Sequence, residues 1–468
     1  MSTTASFGER HFGAAALGHQ ARTACLVKIA DRLQQHPGGT LPAKLHAPKD
    51  YKAMDRLMNR PEVTHASVLA APCALTRQQM QTAAGVVLVL HDTTELDYSG
   101  LRSIADLGSI GGGLNRGLLC HNSLAYDPTQ REVLGLANQI LHRRRCQRKA
   151  KGAKKQREGV RAKRERPDRE SRLWLTGAQA VGVAPAGQRW VHVADRGADT
   201  FEFLAFFEQQ PQPQGFVIRA CSKRNIRVGH AEDGALADLK SYARSLPQLG
   251  QRLVDVAAQG GRPARQAQVS VRFAPIQVLP PHTRRGVYVK KPLRLWVVCV
   301  REDEPPQGVA PLEWLLLTNV PVTTVADAWE RVDWYSCRWV LEEYHKAQKT
   351  GCGIETLQFT SSQALEPMIA LLSVVAVTLL QLRDAARRPD AKERRADTVV
   401  GPRYVAVLSA WRLGRPQPDW SVHDFFLALA RLGGHQNRKR DHRPGWVVLW
   451  KGWMALQHMV DGANAVSG

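Results

Sequence analysis

The stretch VVLVLHD, residues 86–92, decides the fold class of this 468-residue chain. Its five consecutive apolar residues are typical of a strand that is buried on both faces of a sheet. A second stretch, WVHVAD at residues 190–195, repeats the arrangement, because a mostly apolar run again ends in aspartate. Helical patterns before and after this second run predict an α/β fold.

Outward from these strands, the periodicity of the chain changes by segment. Residues 10–80 have helical spacing, and we predict one of their helices at Tyr51–Met58. Residues 222–312 alternate between apolar and polar positions, which predicts an inserted antiparallel β segment. The run Met368–Leu380 is shorter than the roughly 20 residues of a membrane span, so we predict a buried core helix there. The predicted domains are therefore 1–80, 81–368 and 369–468.

The charge of the chain indicates the class of its partner. Lys and Arg number 65 against 42 Asp and Glu, a net charge of +23. Such an excess favours a polyanion, either nucleic acid or anionic lipid. Because we find no secretory signal and no spanning segment, we predict nucleic acid and no membrane partner. The tract Arg143–Arg166 predicts a solvated loop that strengthens binding without choosing a sequence.

The cysteines indicate the compartment. Eight are scattered along the chain, and no Cys-x-x-Cys pair occurs among them. A disulfide framework or a zinc ribbon would cluster its cysteines, so we expect a reducing, cytoplasmic environment.

The segment YSCRWVLEEYHKAQKTG, residues 335–351, carries the most chemical information. Five of its positions step by three or four, which predicts that they share one helix face: Tyr335, Arg338, Glu342, His345 or Lys346, and Lys349. Ordinary ion pairs between residues four apart, each worth a few tenths of a kcal/mol, are the alternative interpretation. A single acid among Tyr, Arg and Lys side chains instead suits a metal ligand beside a phosphate backbone.

Two aspartates have equivalent positions in the sequence. Asp92 and Asp195 each come directly after a predicted buried strand. Either one alone suits a cap for the turn or helix that follows. Together with Glu342 they could hold two Mg²⁺ ions at one edge of a sheet. Two such ions, about 4 Å apart, support in-line phosphoryl transfer.

The spacing Tyr335-x₂-Arg338-x₃-Glu342-x₆-Lys349 matches the Tyr-Arg-Glu-Lys signature of the insertion-sequence-four family of bacterial DDE transposases. The chain resembles the cut-and-paste members of that family, of the Tn-five type. VLVLHDTTEL around Asp92 and VADRGAD around Asp195 are similar to the segments of its first and second catalytic aspartates. RESRLWL, PLEWLLLT and two C-terminal segments, ARLGGH and WVVLWKGWMALQ, are similar too. The likeness extends from about residue 10 to about residue 462.

This resemblance implies a fold and a set of roles. The fold would be an RNase H-like core, a mixed sheet flanked by helices, with a β insertion and helical N- and C-terminal domains. The catalytic metal ligands would be Asp92, Asp195 and Glu342, binding two Mg²⁺ ions, with Mn²⁺ as a substitute. The DNA contacts would come from Tyr335, Arg338, Lys346, Lys349, Trp314, Arg22 and Arg56. Trp314 would receive a flipped base, and Arg22 and Arg56 lie in the region that resembles the end-recognition domain.

The activity implied by the resemblance is metal-dependent cleavage of transposon-end DNA through a hairpin, followed by strand transfer into target DNA. A homodimer would hold two double-stranded ends. The chain departs from the family in its long basic tract and in Cys25, where a basic residue is expected. Two alternatives stay open: an RNase H-like structure-selective nuclease that cleaves without joining, and a non-enzymatic DNA-binding regulator.

Overall fold

The computed structural model describes residues 5–36, 38–144, 166, 168–210, 214–221, 223–256, 264–281, 291–438 and 444–467. The solvated loop predicted for Arg143–Arg166 lies, apart from its ends, outside these residues. The described chain forms two compact units. The first unit contains the residues before 84, those from Thr93 to Arg144 and those from Val340 onward. The second contains Ala84–Asp92 and the residues from 166 to Trp339.

Strand β1, Val86–Asp97, belongs to both units, because the division falls after Asp92. The prediction that this strand ends at Leu90 and that Asp92 follows it is therefore wrong. The physical reason lies in the next residues. Thr93 and Thr94 are β-branched, and Leu96 is fully buried, so the extended pattern continues past the apolar run.

The first unit begins with helices, as the helical spacing predicted. The apolar positions of the second helix, Leu26, Ile29, Ala30 and Leu33, are all buried. A proline at the first position starts the fourth helix, which ends before Asn59 and Pro61. The five helices are α1 Phe7–Phe12, α2 Gln20–Gln35, α3 Leu41–Leu45, α4 Pro48–Met58 and α5 His65–Thr82.

A strand hairpin follows β1 in the first unit. Strand β3, Arg116–Asp127, lies beside β1 and pairs antiparallel with β4, Glu132–His142. The short strand β2, Gly108–Ser109, pairs with the start of β3. The sequence patterns near Leu118–Ala125 and Glu132–Leu136 predict two strands in this region, and both are present and longer than predicted.

The second unit continues the sheet from the first part of β1. Residues 86–91 pair in parallel with β5, Arg189–Ala194, and β5 pairs in parallel with β6, Gly215–Arg219. Helices α6, Leu173–Val181, and α7, Phe201–Glu208, precede and follow β5. The mixed α/β fold predicted from the sequence is confirmed, and it is compatible with an RNase H-like core.

Antiparallel strands complete the sheet of the second unit. They are β7 Asn225–Val228, β8 Leu236–Asp238, β9 Gly250–Val256, β10 Arg265–Val278, β11 Leu293–Arg301 and β12 Glu313–Thr318, with helix α8, Leu239–Ser245, among them. β12 pairs antiparallel with β6 and thereby joins these strands to the parallel ones. The alternating pattern of 222–312 thus predicted the strands correctly, and their status as an inserted subdomain stays a prediction.

Helices form the rest of the chain. Helix α9, Val325–Ser336, lies in the second unit, and α10, Trp339–Lys346, passes into the first. Helix α11, Ser362–Arg387, is long and apolar enough to cross a membrane, but 78% of its most apolar 18-residue window is buried inside the protein. It is therefore the core helix predicted at Met368–Leu380. The remaining helices are α12 Pro402–Leu413, α13 Val422–Leu432 and α14 Trp446–Ser467.

Candidate functional site

Asp92 and Asp195 occupy equivalent positions at the end of the ladder between two neighbouring strands of the second unit. The parallel ladder between β1 and β5 ends with the pair His91 and Ala194, and each aspartate is the next residue of its chain. Asp92 is buried and Asp195 is half-buried. The structure therefore brings these two carboxylates to the same level of the sheet.

Asp195 also acts as a cap. Its Oδ1 accepts a hydrogen bond of 2.9 Å from the backbone N–H of Gly197, at the start of the short turn that follows β5. The capping interpretation of this residue is thus correct for one of its two carboxylate oxygens. A carboxylate has two oxygens, so a cap and a metal ligand are compatible roles for the same side chain.

Arg338 contacts Asp92 directly. Its Nη1 donates to Asp92 Oδ2 at 2.6 Å, and both side chains are mostly buried. A buried carboxylate needs such a charge-assisted partner, because an uncompensated charge away from water is costly. The arginine predicted to bind DNA phosphates therefore also fixes the charge balance of Asp92 within the second unit.

The helix predicted for residues 335–351 is not continuous, which corrects the prediction of a single helix face. Helix α9 ends at Ser336, and the N–H of Arg338 bonds to the carbonyl of Tyr335, three residues back. Such bonds tighten a helix end. Helix α10 then begins at Trp339. The interruption leaves Tyr335 on a different helix from Glu342 and leaves Arg338 at the junction.

Trp314 and Tyr335 come together in the second unit. Trp314 lies on β12 and Tyr335 on α9, and their rings meet edge to face with centroids 5.3 Å apart. Tyr335 is buried, whereas Trp314 is half-buried and keeps part of its surface exposed. Two residues separated by 21 positions in the sequence thus form one aromatic pair.

In the first unit, Glu342 and His345 lie three residues apart on α10. Their ligand atoms lie within 4.8 Å of one another. Asp92 of the second unit offers the same kind of oxygen ligand. Carboxylate oxygens suit hard divalent cations, and imidazole suits several transition metals. We assigned no role to His345 from the sequence, although the Glu-x-x-His spacing, which puts both side chains on one helix face, was visible there.

The two lysines of the signature differ in their surroundings. Lys346 is exposed at the end of α10, and the chain then continues as a π-helical turn, Ala347–Gly351. Lys349, within that turn, lies 3.1 Å from Glu355, whose carboxylate also accepts the N–H of Asp97 at 2.9 Å. Lys349 is therefore tied to the end of β1 inside the first unit. Turns of this type are frequent at functional sites.

A buried hydrogen-bond network holds α10 and the π-helical turn against α11. The amides of Gln348 and Gln139 both donate to Ser373 Oγ at 2.9 Å, and the hydroxyl of Tyr344 donates to the Ser373 carbonyl at 2.9 Å. Burial raises the pKa of Tyr344, so its hydroxyl stays a donor. Because its members are satisfied by one another, this network fixes the helix that carries Glu342.

A buried histidine pair lies next to Asp92. His91 Nε2 and His192 Nδ1 are 2.8 Å apart, and His192 also bonds to Gln214 at 2.9 Å. Burial lowers the pKa of His192 to about 4. This histidine pair ties β1 to β5 directly beside Asp92.

The two N-terminal arginines lie apart from these groups, within the helices of the first unit. Arg22 contacts Glu62 at 3.0 Å and donates to the carbonyl of Leu17 at 2.9 Å. Arg56 is exposed on α4, and its Nε donates to the carbonyl of Lys52 at 3.3 Å. Their role in recognising a DNA end stays a prediction.

No family model matches the chain. Among solved structures, it is similar to a cryo-EM structure of the piggyBac transposase synaptic complex with hairpin DNA, at 10% sequence identity and a TM-score of 0.35. The similarity covers 91% of this chain and 78% of the other. A likeness this weak carries no argument about function, which must therefore be argued from the residues of the site.

Proposed function

We propose that this protein is a DDE transposase, which cleaves transposon-end DNA through a hairpin and transfers the freed strand to target DNA. The observation that carries the proposal is the placement of Asp92 and Asp195 at one level of two parallel strands, with Arg338 bound to Asp92 at 2.6 Å. Strand-borne carboxylates beside a cation suit the handling of a phosphodiester. The net charge of +23 favours the same partner.

Glu342 completes the proposed set of carboxylates. Arg338 contacts Asp92. Helix α10 begins at the next residue and carries Glu342, four residues after Arg338. Because Glu342 completes the spacing of the signature from Tyr335 to Lys349, we propose that it acts on the same substrate as Asp92 and Asp195, with His345 as a further candidate ligand.

The donor set fits Mg²⁺ or Mn²⁺, because carboxylates are the ligands that these cations prefer. Asp92, Asp195 and Glu342 would hold two such ions, which, when bound, activate the attacking hydroxyl and stabilise the leaving oxygen. Arg338, at the junction of two helices, keeps the charge of Asp92 compensated. The buried network under α10 holds the helix that carries Glu342, which would limit the reorganisation needed during the reaction.

The remaining signature residues are proposed to hold the DNA. Arg338, Lys346 and Lys349 would contact phosphates of the transposon end, and Tyr335 would position the strand. Trp314 keeps an exposed surface while Tyr335 packs against its ring, so it could serve as a platform for an extruded base. Arg22 and Arg56 would contact the end sequence. A second copy of the chain would pair through α13 and α14, and the complex would work in the cytoplasm.

The test uses duplexes taken from the DNA on either side of the gene, labelled at one strand, with Mg²⁺. Wild type should cleave and join them, whereas Asp92→Asn, Asp195→Asn and Glu342→Gln should each lose at least about a thousandfold in cleavage rate. Glu208→Gln, an exposed acid at the end of α7, is the matched control and should cleave normally.

The products separate the alternatives. Cleavage without joined product would indicate a nuclease, and binding without any cleavage would indicate a regulator. Wild-type rates in all three carboxylate variants would show that the assignment of these residues is wrong.

A further inference from the structure

We propose that the first unit contains a second site for nucleotide phosphates, formed by a basic cavity of about 470 Å³. This volume lies within the roughly 300–1,000 Å³ of small-molecule sites. The cavity has six cationic or titratable side chains in its lining: Arg131, Arg383, Arg387, Arg388, Lys392 and His423. None of these residues belongs to the signature of the proposed active site, so the inference goes beyond the proposed function.

The cations reach the cavity from separate elements of the chain. Arg387 and Arg388 lie at the C-terminal end of α11, where the helix dipole favours positive charge. That local effect does not account for Arg131, from the turn between β3 and β4, or for Lys392, from the short turn after α11. Cations from three elements thus line one cavity, where several of them can contact the same anion.

Two of the arginines are held rigidly. Arg388 lies 2.7 Å from Glu132 and 3.0 Å from Asp390. Arg383 is paired with Asp384 and with Glu343, and Asp384 also accepts the N–H of Val133 at 3.1 Å. Guanidinium groups fixed in this way lose little freedom when they bind an anion, which favours affinity.

The backbone of Arg131 has an unusual conformation. Its φ is +55°, in the left-handed region that favours glycine and asparagine. The turn before it is stabilised locally, because Asp127 Oδ1 accepts the N–H groups of Thr129 and Gln130 at 2.8 and 2.9 Å. A long cationic side chain at such a position is strained where glycine would not be, and strained residues of this kind are found at ligand sites.

Part of the cavity lining is apolar. It includes Phe426 and Leu427 of α13 and Leu449 of α14. Inorganic phosphate alone would leave this apolar part without a partner. A nucleotide, which combines a phosphate with a flat and mostly apolar base, matches both parts of the lining. The nucleotide could be free or could belong to a DNA strand, and the two sources share this chemistry.

The cavity is also connected to the proposed active site along the chain. Arg383 is paired with Glu343, the residue after Glu342. A ligand in the cavity would therefore affect the position of the helix that carries Glu342, although no side chain belongs to both the cavity and the proposed metal site.

The test measures binding without divalent metal, in the full-length chain. The probes are dATP, followed by calorimetry, and a labelled duplex of arbitrary sequence, followed by fluorescence anisotropy. The double variant Arg131→Gly with Lys392→Gln removes two cations from the cavity. The control, Arg412→Gln with Arg415→Gln, removes two exposed cations from the same unit. Glycine accepts a positive φ, so Arg131→Gly should not lower the melting temperature.

We expect the cavity variant to weaken at least one probe by about tenfold, as loss of charge-assisted hydrogen bonds predicts, while the control changes it by less than about twofold. Weaker dATP binding, with competition between dATP and duplex, would identify a nucleotide site that a DNA strand also reaches. Weaker duplex binding alone would identify DNA as the source.

Equal affinities of the cavity variant and the control for both probes would overturn the proposal, as would absence of binding of both probes to wild type. Cleavage is measured separately with Mg²⁺, so the failure of this site and the failure of the transposase assignment give different results.

Discussion

In the second unit, Asp92 lies on β1 and Asp195 directly follows the neighbouring parallel strand β5, whereas in the first unit Glu342 lies on an eight-residue helix between two irregular turns. The strands are stabilised by burial of apolar side chains on both faces, and the apolar run that allows this burial is visible in their local sequence. The helix is fixed by partners from distant parts of the chain, such as Ser373. Carboxylates with similar proposed roles thus depend on different stabilising interactions.

A fall in pH should have the largest effect, and it should act in both units. Burial lowers the pKa of His121 on β3 to about 3 and that of His192 on β5 to about 4, from 6.5. Below pH 6.5 these two histidines bind protons in the unfolded chain but not in the folded chain. The free energy of unfolding therefore falls as pH decreases toward these pKa values. At about pH 5 we expect a loss of about 2 kcal/mol for each histidine.

Denaturant unfolding at about pH 7 and about pH 5 measures this loss, followed by signals from each unit. His192→Gln should make the stability of the second unit less dependent on pH. If the stability of both units rose on acidification, the buried neutral state of these histidines would be wrong.

Removal of Arg338 should have the next largest effect, and it should distinguish the units. Arg338→Gln leaves the carboxylate of Asp92 without its cation, and we expect a loss of about 1–3 kcal/mol in the free energy of unfolding. DNA cleavage should fall as well. Lys349→Gln is the matched change in the first unit, and it breaks a more exposed pair with Glu355. We expect a loss below about 1 kcal/mol there.

Thermal unfolding of both variants, with wild type alongside, makes this comparison directly. Equal losses for the two variants would mean that burial does not distinguish the pairs. A larger loss for Lys349→Gln would reverse the account of the two units.

The parallel strands of the second unit could be predicted from the sequence, because burial on two faces leaves a continuous apolar run. The run at 86–90 and the run at 190–194 both fold as strands. The end of β1 was missed, since Thr93 to Asp97 owe their extended state to β-branched residues and to pairing with a neighbouring strand. Core helix α11 could be predicted for a similar reason, because it too contains a long apolar run.

The interruption at Cys337 and Arg338 could not be predicted, because no glycine or proline marks it. The helical spacing of 335–349 is continuous in the sequence, whereas Arg338, at the break, contacts Asp92 from a distant part of the chain. The aromatic pair of Trp314 and Tyr335 likewise depends on the packing of a strand against a helix. His345 was predicted to lie on the helix face of Glu342 but was given no role, although its spacing from Glu342 suits a second ligand.

The central claim is that Glu342 binds a catalytic metal ion together with Asp92 and Asp195, and its most direct test is metal rescue of Glu342→Cys. A thiolate binds Mg²⁺ poorly and Mn²⁺ better, because it is a softer ligand than a carboxylate. We predict that this variant fails to cleave flanking-sequence DNA with Mg²⁺ and recovers cleavage with Mn²⁺, while Glu342→Ala stays inactive with both. Equal cleavage by Glu342→Cys in the two metals, or recovery of Glu342→Ala with Mn²⁺, would contradict the claim.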